Sequence, residues 1–295
     1  MFISDFLNYI EFERRYSVHT LTSYKKDLQQ FSDFLSRVYE IKSAQEIKFT
    51  IIRTWIAQLM EEGNSARTVN RKISTLKSYF RFLLKTGKIA QNPMLKITGP
   101  KIRKKLPVFI EEKSMNILID DDLDRNSFKE VRNRLVVEFF YTTGMRRAEL
   151  IGIKTRDVDL NNQLIKVLGK RNKERLLPIH ASLLSLIDSY LSLKKSIETA
   201  PQSGAYFFLT EKGKKMYPEL VYRIVNNYLS RVSTQKKKSP HVLRHTFATH
   251  MLNHGADLNA VKELLGHANL AATQIYTHNT IDKLKNIYKL AHPKA

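Results

Sequence analysis

Apolar residues recur along this chain mostly at helical spacing. Phe2, Phe6, Tyr9 and Ile10 mark a first helix, and Leu21, Tyr24, Leu28, Phe31, Leu35 and Val38 alternate by three and four over five turns of a second. Ser17 and Thr20 are candidate caps for it. Ile52, Trp55, Ile56 and Leu59 predict a third helix ending near Gly63, and Val69, Ile73, Leu76, Phe80 and Leu83 a fourth that stops at Gly87. Asn92-Pro93 closes this unit. Farther on, Asn133 to Thr142 is apolar almost all round, as expected of a buried helix carrying Leu135, Val136, Val137, Phe139 and Phe140. Two short runs, Leu164–Leu168 and Glu174–Ile179, read as strands, and Gly169-Lys-Arg-Asn-Lys173 between them predicts a hairpin turn. Helices are expected again at about Ala181 to Lys194 and Pro218 to Val232, with a loop around Ala200–Gly204 between them.

The last predicted helices lie between Ser239 and His278. Ser239-Pro240 supplies a cap and a first-turn proline, which puts His241 in the first turn and Arg244 on the same face. Asp257 opens another helix that stops at Gly266, so His267 follows its end. Tyr276 falls in a third, short one.

Charge changes the picture from fold to partner. Fifty Lys and Arg against 28 Asp and Glu leave a formal +22 over 295 residues. Such an excess calls for an extended polyanion, most simply nucleic acid, because neutralising phosphates releases counterions. A ribosomal protein or a basic membrane-surface protein would share the charge. The excess is evenly spread: residues 1–105 carry 20 basic and 9 acidic side chains, leaving 30 and 19 for the rest, or +11 each. On the polar faces of the second and fourth helices lie Lys25, Lys26, Arg67, Arg71, Lys72, Lys77 and Arg81, among Ser, Thr and Asn side chains that also bond phosphate or base edges. Each alone reads as solvated surface; as a set they are a candidate DNA face. The stretch Ile97–Pro107 combines glycine and proline with Lys101, Arg103, Lys104 and Lys105, as expected of a basic linker between domains 1–96 and 108–295.

Cysteine is absent, which excludes disulfides, thiolate metal sites and cysteine nucleophiles. The N-terminus interrupts its apolar pattern with charges and is no signal peptide. No apolar run reaches the roughly 20 residues that span a bilayer, so a cytoplasmic protein without membrane association is expected.

The chemistry-bearing side chains are few. Thr143-Gly144-Met145-Arg146-Arg147-Ala148-Glu149-Leu150 follows the buried helix with a glycine turn from which Arg146 can emerge at a helix start. On spacing alone, Lys170 or Lys173 of the hairpin can enter a site as a proton donor. Arginine grips phosphate oxygens bidentately, histidine moves protons near neutral pH and tyrosine can be a nucleophile. The pairs His241/His245 and His250/His254 have the spacing of helical zinc ligands, but neither holds the His-Glu-x-x-His glutamate and no third ligand suggests itself. His245, His250 and His278 are read as structural.

Taken together, Thr143 to Leu150, Gly169-Lys170, His241-Val242-Leu243-Arg244-His245, Gly266-His267 and Tyr276-Thr277-His278 resemble the motif set of the tyrosine site-specific recombinases, and in length and layout the Xer recombinases most of all. Residues Ser17–Leu28 and Thr68–Leu83 resemble that family's core-binding helices. The resemblance implies a mainly α protein: an all-α, SAM-like four-helix core-binding domain, then an α-rich catalytic domain with a small antiparallel sheet, the fold shared with type IB topoisomerases. It implies a catalytic set of Arg146, Lys170, His241, Arg244, His267 and the nucleophile Tyr276. It also implies cleavage of duplex DNA through a 3′-phosphotyrosyl link, with no cofactor or metal. Implied partners are a double-stranded recombination site, a homo- or hetero-tetramer with itself or a paralogue, and in some settings a DNA-translocating motor. Because no arm-type domain precedes Met1, resolution of chromosome or plasmid dimers is favoured over integration or transposition of a mobile element. A type IB topoisomerase and a non-catalytic DNA-binding protein are the remaining alternatives. Thr280 to Leu290, with Ile281, Leu284, Ile287, Tyr288 and Leu290, has no evident cover in its own domain and is expected to dock on a neighbouring protomer.

Overall fold

A computed structural model describes residues 1–102, 108–169, 174–266 and 287–293. The chain divides into two compact units, Met1–Lys105 and Leu106–Ala295. Among the described residues no helix is long and apolar enough to cross a membrane.

The first unit is all helical: α1 (Ile3–Asn8) running into a π-turn (Tyr9–Glu13), α2 (Val18–Tyr39), α3 (Phe49–Glu61) and α4 (Ala66–Lys85). Ser17 and Ser65 start α2 and α4 by accepting hydrogen bonds from the Thr20 and Thr68 amides at 3.3 and 3.2 Å. Thr20 therefore lies inside α2 and is not its cap. The apolar stripes of all four helices close on one aromatic core, in which Phe31 packs on Trp55 at 4.8 Å and Phe6 on Tyr79 at 5.5 Å.

One polar knot sits inside that unit and corrects the sequence reading of Lys72. Asp27, 1% exposed, takes the Lys72 ammonium at 3.2 Å and the Thr75 hydroxyl at 2.9 Å, and pairs with Arg71; Lys72 also reaches Gln30. Helix α4 turns Lys72 inward because a buried carboxylate on α2 must be matched there by a cation. Lys25, Lys26, Arg67, Arg71, Lys77, Arg81 and Lys101 remain exposed. Arg103, Lys104 and Lys105 lie outside the described residues.

The second unit is built around α6 (Phe128–Thr143), whose Leu135, Val136, Val137, Phe139 and Phe140 are all fully buried. Helix α5 (Glu112–Asp120) precedes it, and α7 (Arg147–Gly152) follows after the Gly144 turn. A three-stranded antiparallel sheet then runs in the order β1 (Val158–Asp159), β2 (Leu164–Leu168), β3 (Glu174–Pro178). Strands β2 and β3 pair from Leu164 with Pro178 to Leu168 with Glu174, the register of a hairpin. Helices α8 (Ala181–Lys195), α9 (Pro218–Val232), α10 (Pro240–Asn253) and α11 (Leu258–Leu265) follow among the described residues.

Helix α10 begins at Ser239-Pro240, but Ser239 caps through its backbone. Its carbonyl accepts from the Val242 amide at 2.9 Å while its side chain makes no cap bond. Asp257 does cap α11 with its side chain, accepting from Asn259 and Ala260 at 2.9 and 3.1 Å.

Of the residues expected to dock on a neighbouring protomer, Tyr288 lies in this chain's own core, while Leu290 is 83% exposed. Tyr288, Ala291 and His292 are buried within this same chain, with His292 edge-on to Tyr141 and tilted against Phe247, and Tyr288 tilted against His180. Burial brings the His292 imidazole down to about 3, so it is neutral, and its Nε2–H donates to the Tyr141 carbonyl at 3.3 Å. An aromatic pocket formed by α6, α10 and the start of α8 thus covers Tyr288 and His292. Thr280 and the residues through 286 lie outside the described residues.

Candidate active site

The site grows from the end of α6. Gly144 closes that helix in the left-handed conformation, φ 59°, with its amide bonded to the Phe140 carbonyl at 3.0 Å. A side chain there would come within 2.8 Å of Leu265 Cδ2 and nearer still to Phe247, so the chain can reverse at this point only on glycine. Two residues on, Arg146 is the N-cap of α7. Its amide donates to Glu149 Oε2 at 2.7 Å and its Nη1 to Glu149 Oε1 at 2.8 Å, so the acidic residue of the first turn orients the arginine before it. Arg147, next in sequence, diverges toward the Pro218 carbonyl.

Arg244 arrives from α10 with its guanidinium buried at 9% exposure. Its Nη1 donates to the Gly144 carbonyl at 2.7 Å and its Nη2 to the Leu265 carbonyl at 2.6 Å. Arg146 Nη2 donates to the Gly266 carbonyl at 3.0 Å. A third arginine, Arg175 of β3, donates its Nε to the Leu264 carbonyl at 2.9 Å. Three guanidiniums from three elements therefore take three successive carbonyls at the C-terminus of α11, where the helix dipole is negative and those acceptors have no helical partner. Gly266, at φ 65°, then leads the chain into His267.

The electrostatics follow from crowding. Burial, with Arg146 next and Arg175 after it, lowers the Arg244 guanidinium to about 10, still far above neutral. Burial alone would raise the Glu149 carboxyl, but the hydrogen bonds and charge of Arg175, joined by the Arg146 amide and side chain, outweigh it and hold it below the usual range. His241 is exposed one turn before Arg244. Partial burial, then the charges of Arg244, Arg147, His245 and Arg146, lower its imidazole below 6.5. A neutral, exposed imidazole beside two guanidiniums can accept a proton from a neighbouring hydroxyl.

The structure thus brings together Arg146, Arg244 and His241, while Lys170, His267 and Tyr276 lie outside the described residues. Sequence reasoning passed over two residues here, Glu149 and Arg175. Glu149 stood within the quoted Thr143–Leu150 motif. Arg175 shares the inward face of β3 with Leu177, two residues on, and that period-two placement is the signal the strand offers for it. His250 and His254 are already engaged, with the Tyr141 hydroxyl and with Glu112, each at 3.0 Å.

Residues 109–283 match the profile of the phage integrase family, and residues 3–87 that of its N-terminal SAM-like domain. The chain belongs to the phage integrase family. Its relatives within that family include the tyrosine recombinase XerC of Chlorobaculum tepidum, 36% identical over 99% of this chain and 94% of the relative. XerC of Halalkalibacterium halodurans is 38% identical, over 99% and 97%. Among solved structures, a XerH recombinase bound to its palindromic difH substrate superposes with a TM-score of 0.73 at 23% identity, covering 96% of this chain and 83% of that one. The Tn1549 transposon integrase with circular intermediate DNA gives 0.71 at 19%, over 95% and 97%. At such identity these two likenesses establish the fold: the mainly helical architecture, SAM-like first unit and small antiparallel sheet are those of a phage-integrase-family recombinase.

Proposed function

We propose that this chain is a Xer-type site-specific tyrosine recombinase, which cuts and rejoins duplex DNA through a 3′-phosphotyrosyl intermediate. The observation that carries the reading is the convergence of Arg146 and Arg244 on the turn leading into Gly266-His267, in a chain 36% identical to a XerC over nearly its whole length. The Tyr276 hydroxyl attacks the scissile phosphorus. Arg146, Arg244 and His267 hold the non-bridging oxygens as charge accumulates on them. His241 takes the tyrosine proton, and Lys170 gives one to the departing 5′ oxygen. The phosphodiester's energy is kept in the tyrosyl ester, so the second strand's 5′-hydroxyl can reverse the step with a new partner. Lys25, Lys26, Arg67, Arg71, Lys77, Arg81 and Lys101 hold the backbone of the duplex, leaving Lys72 to its buried carboxylate. Action as a tetramer on two sites, alone or with a paralogue, and resolution of chromosome or plasmid dimers in the cytoplasm under a DNA-translocating motor complete the proposal.

The test uses duplexes selected by binding from a randomised library and then nicked at successive positions, so that cleavage releases a short 5′-hydroxyl strand and cannot be reversed. Wild-type protein is expected to become covalently attached to one strand. Tyr276→Phe should bind the same duplex with unchanged affinity and give no adduct. An equal adduct in both proteins would overturn the assignment of the nucleophile.

A pH profile checks His241. Its titration lies below the ordinary 6.5, so the imidazole is mainly neutral from pH 8 down to that point and protonates in more acid buffer. Adduct formation should therefore be level across that range and fall in more acid buffer. In His241→Gln the plateau should drop and the acid limb disappear. An acid limb of unchanged position in the variant would assign the titration to another group.

A further inference from the structure

We propose that Arg175 is a positioning residue for this reaction: it neutralises Glu149, and so leaves the Arg146 guanidinium available to the scissile phosphate. The inference rests on the recombinase reading above.

Arg175 is 4% exposed and cannot itself reach a DNA backbone. Its fork meets Glu149 oxygen for oxygen, Nη1 to Oε1 at 2.9 Å and Nη2 to Oε2 at 2.8 Å, the two-pronged geometry in which a guanidinium binds a carboxylate most strongly. The remaining donor, Nε, holds the Leu264 carbonyl. The same two Glu149 oxygens also hold Arg146, through its Nη1 and its amide. Glu149 carries one negative charge and faces two guanidiniums. With Arg175 in place the cluster has a positive charge left over, and Arg146, 32% exposed, is the member that can present it to an anion. Without Arg175, Arg146 would be the hydrogen-bonded counter-ion left to the buried carboxylate, and phosphate would have to compete for that arginine against a desolvated charge.

Gly266 supplies an independent mark of the same contact. A Cβ at this position would lie 3.1 Å from Arg175 Nη1 and 3.3 Å from its Cδ and Cζ, so the turn that precedes His267 lies directly on the Arg175 side chain. Arg175 pairs with Val167 across the hairpin whose connecting segment contains Lys170. One buried side chain thus joins the strand after Lys170, the carboxylate beneath Arg146 and the turn before His267.

The test compares single-turnover adduct formation on the nicked duplex, at saturating protein, for wild type, Arg175→Met, Glu149→Gln and the double variant. Arg175→Met should slow the adduct by about 10- to 100-fold, the order of a misdirected oxyanion donor, with duplex affinity within about twofold of wild type since one phosphate contact changes at most. The distinguishing result is rescue. Glu149→Gln removes the charge that captures Arg146, so the double variant should react several-fold faster than Arg175→Met, whereas a merely structural role predicts that the two losses accumulate. If Arg175→Met does not fold, Arg175→Lys carries the same comparison, since it keeps the stem and loses the fork. Wild-type rates in the folded single variant, or a double variant slower than it, would overturn the proposal. Failure of wild-type protein to form any adduct would instead count against the recombinase reading.

Discussion

Arg244→Lys is expected to slow covalent adduct formation by about 10²- to 10³-fold while leaving duplex affinity nearly unchanged. The guanidinium offers a rigid fork that can meet two oxygens of one phosphate, and an ammonium on a flexible stem offers a point charge in its place. Oxyanion donors that act as charge develops are worth about this much in rate. The resting geometry adds a second cost. Arg244 satisfies the Gly144 and Leu265 carbonyls together, one on each Nη. Lysine reaches one of them, and leaving the other buried and unpaired costs about 1–3 kcal/mol. Thermal denaturation measures that loss separately, so the kinetic comparison is made well below the variant's midpoint. A lysine variant that forms the adduct within a few-fold of the wild-type rate would remove Arg244 from the set that binds the scissile phosphate.

The second large effect is one of stability. Gly144→Ala should lower the unfolding free energy by about 3 kcal/mol, combining the cost of a left-handed alanine with overpacking against rigid neighbours. Those neighbours are Phe247 and Leu265, both buried, one on each of the helices that carry the site. Gly87→Ala is the internal comparison. Gly87 has a similar φ of 66° with nothing within 4 Å of the added methyl, so only the backbone term of about 1–2 kcal/mol applies. Denaturant titration of the two variants should separate them clearly. Equal losses would mean that helix α10 and the end of α11 give way to the methyl, and that Gly144 is fixed by its conformation alone.

Several elements could be read directly because their cause is local. The three–four alternation from Leu21 to Leu35 gives α2 one inward face, on which Leu28, Phe31 and Leu35 are buried, while Val38 in the last turn is 48% exposed. The apolar runs on either side of Gly169 pair with each other because a short connection brings them side by side. Lys72 shows the opposite case. Its helical position is polar by pattern, but the carboxylate that draws it inward is Asp27, 45 residues earlier and on another helix. Likewise nothing in the periodicity of Ile287, Tyr288 and Leu290 announces an aromatic pocket made by Tyr141, His180 and Phe247.

The candidate site divides along the same line. Arg146, Arg244 and His241 were legible as residues, since a glycine turn and a first-turn proline place them at element starts by local rules. Their meeting point was not. Carbonyls 264 to 266 attract three guanidiniums because a helix C-terminus leaves its last acceptors unpaired, and only the packing of α6, α7, α10 and β3 decides which donors reach them. By itself the sequence determined most of the described helices, though not α5, along with the hairpin, the positive charge and the motif residues, each set by contacts within a few positions of chain. Tertiary structure alone decided that Glu149 lies under Arg146 with Arg175 behind it, because a buried ion cluster is specified by groups that burial brings together, however far apart they stand in the chain.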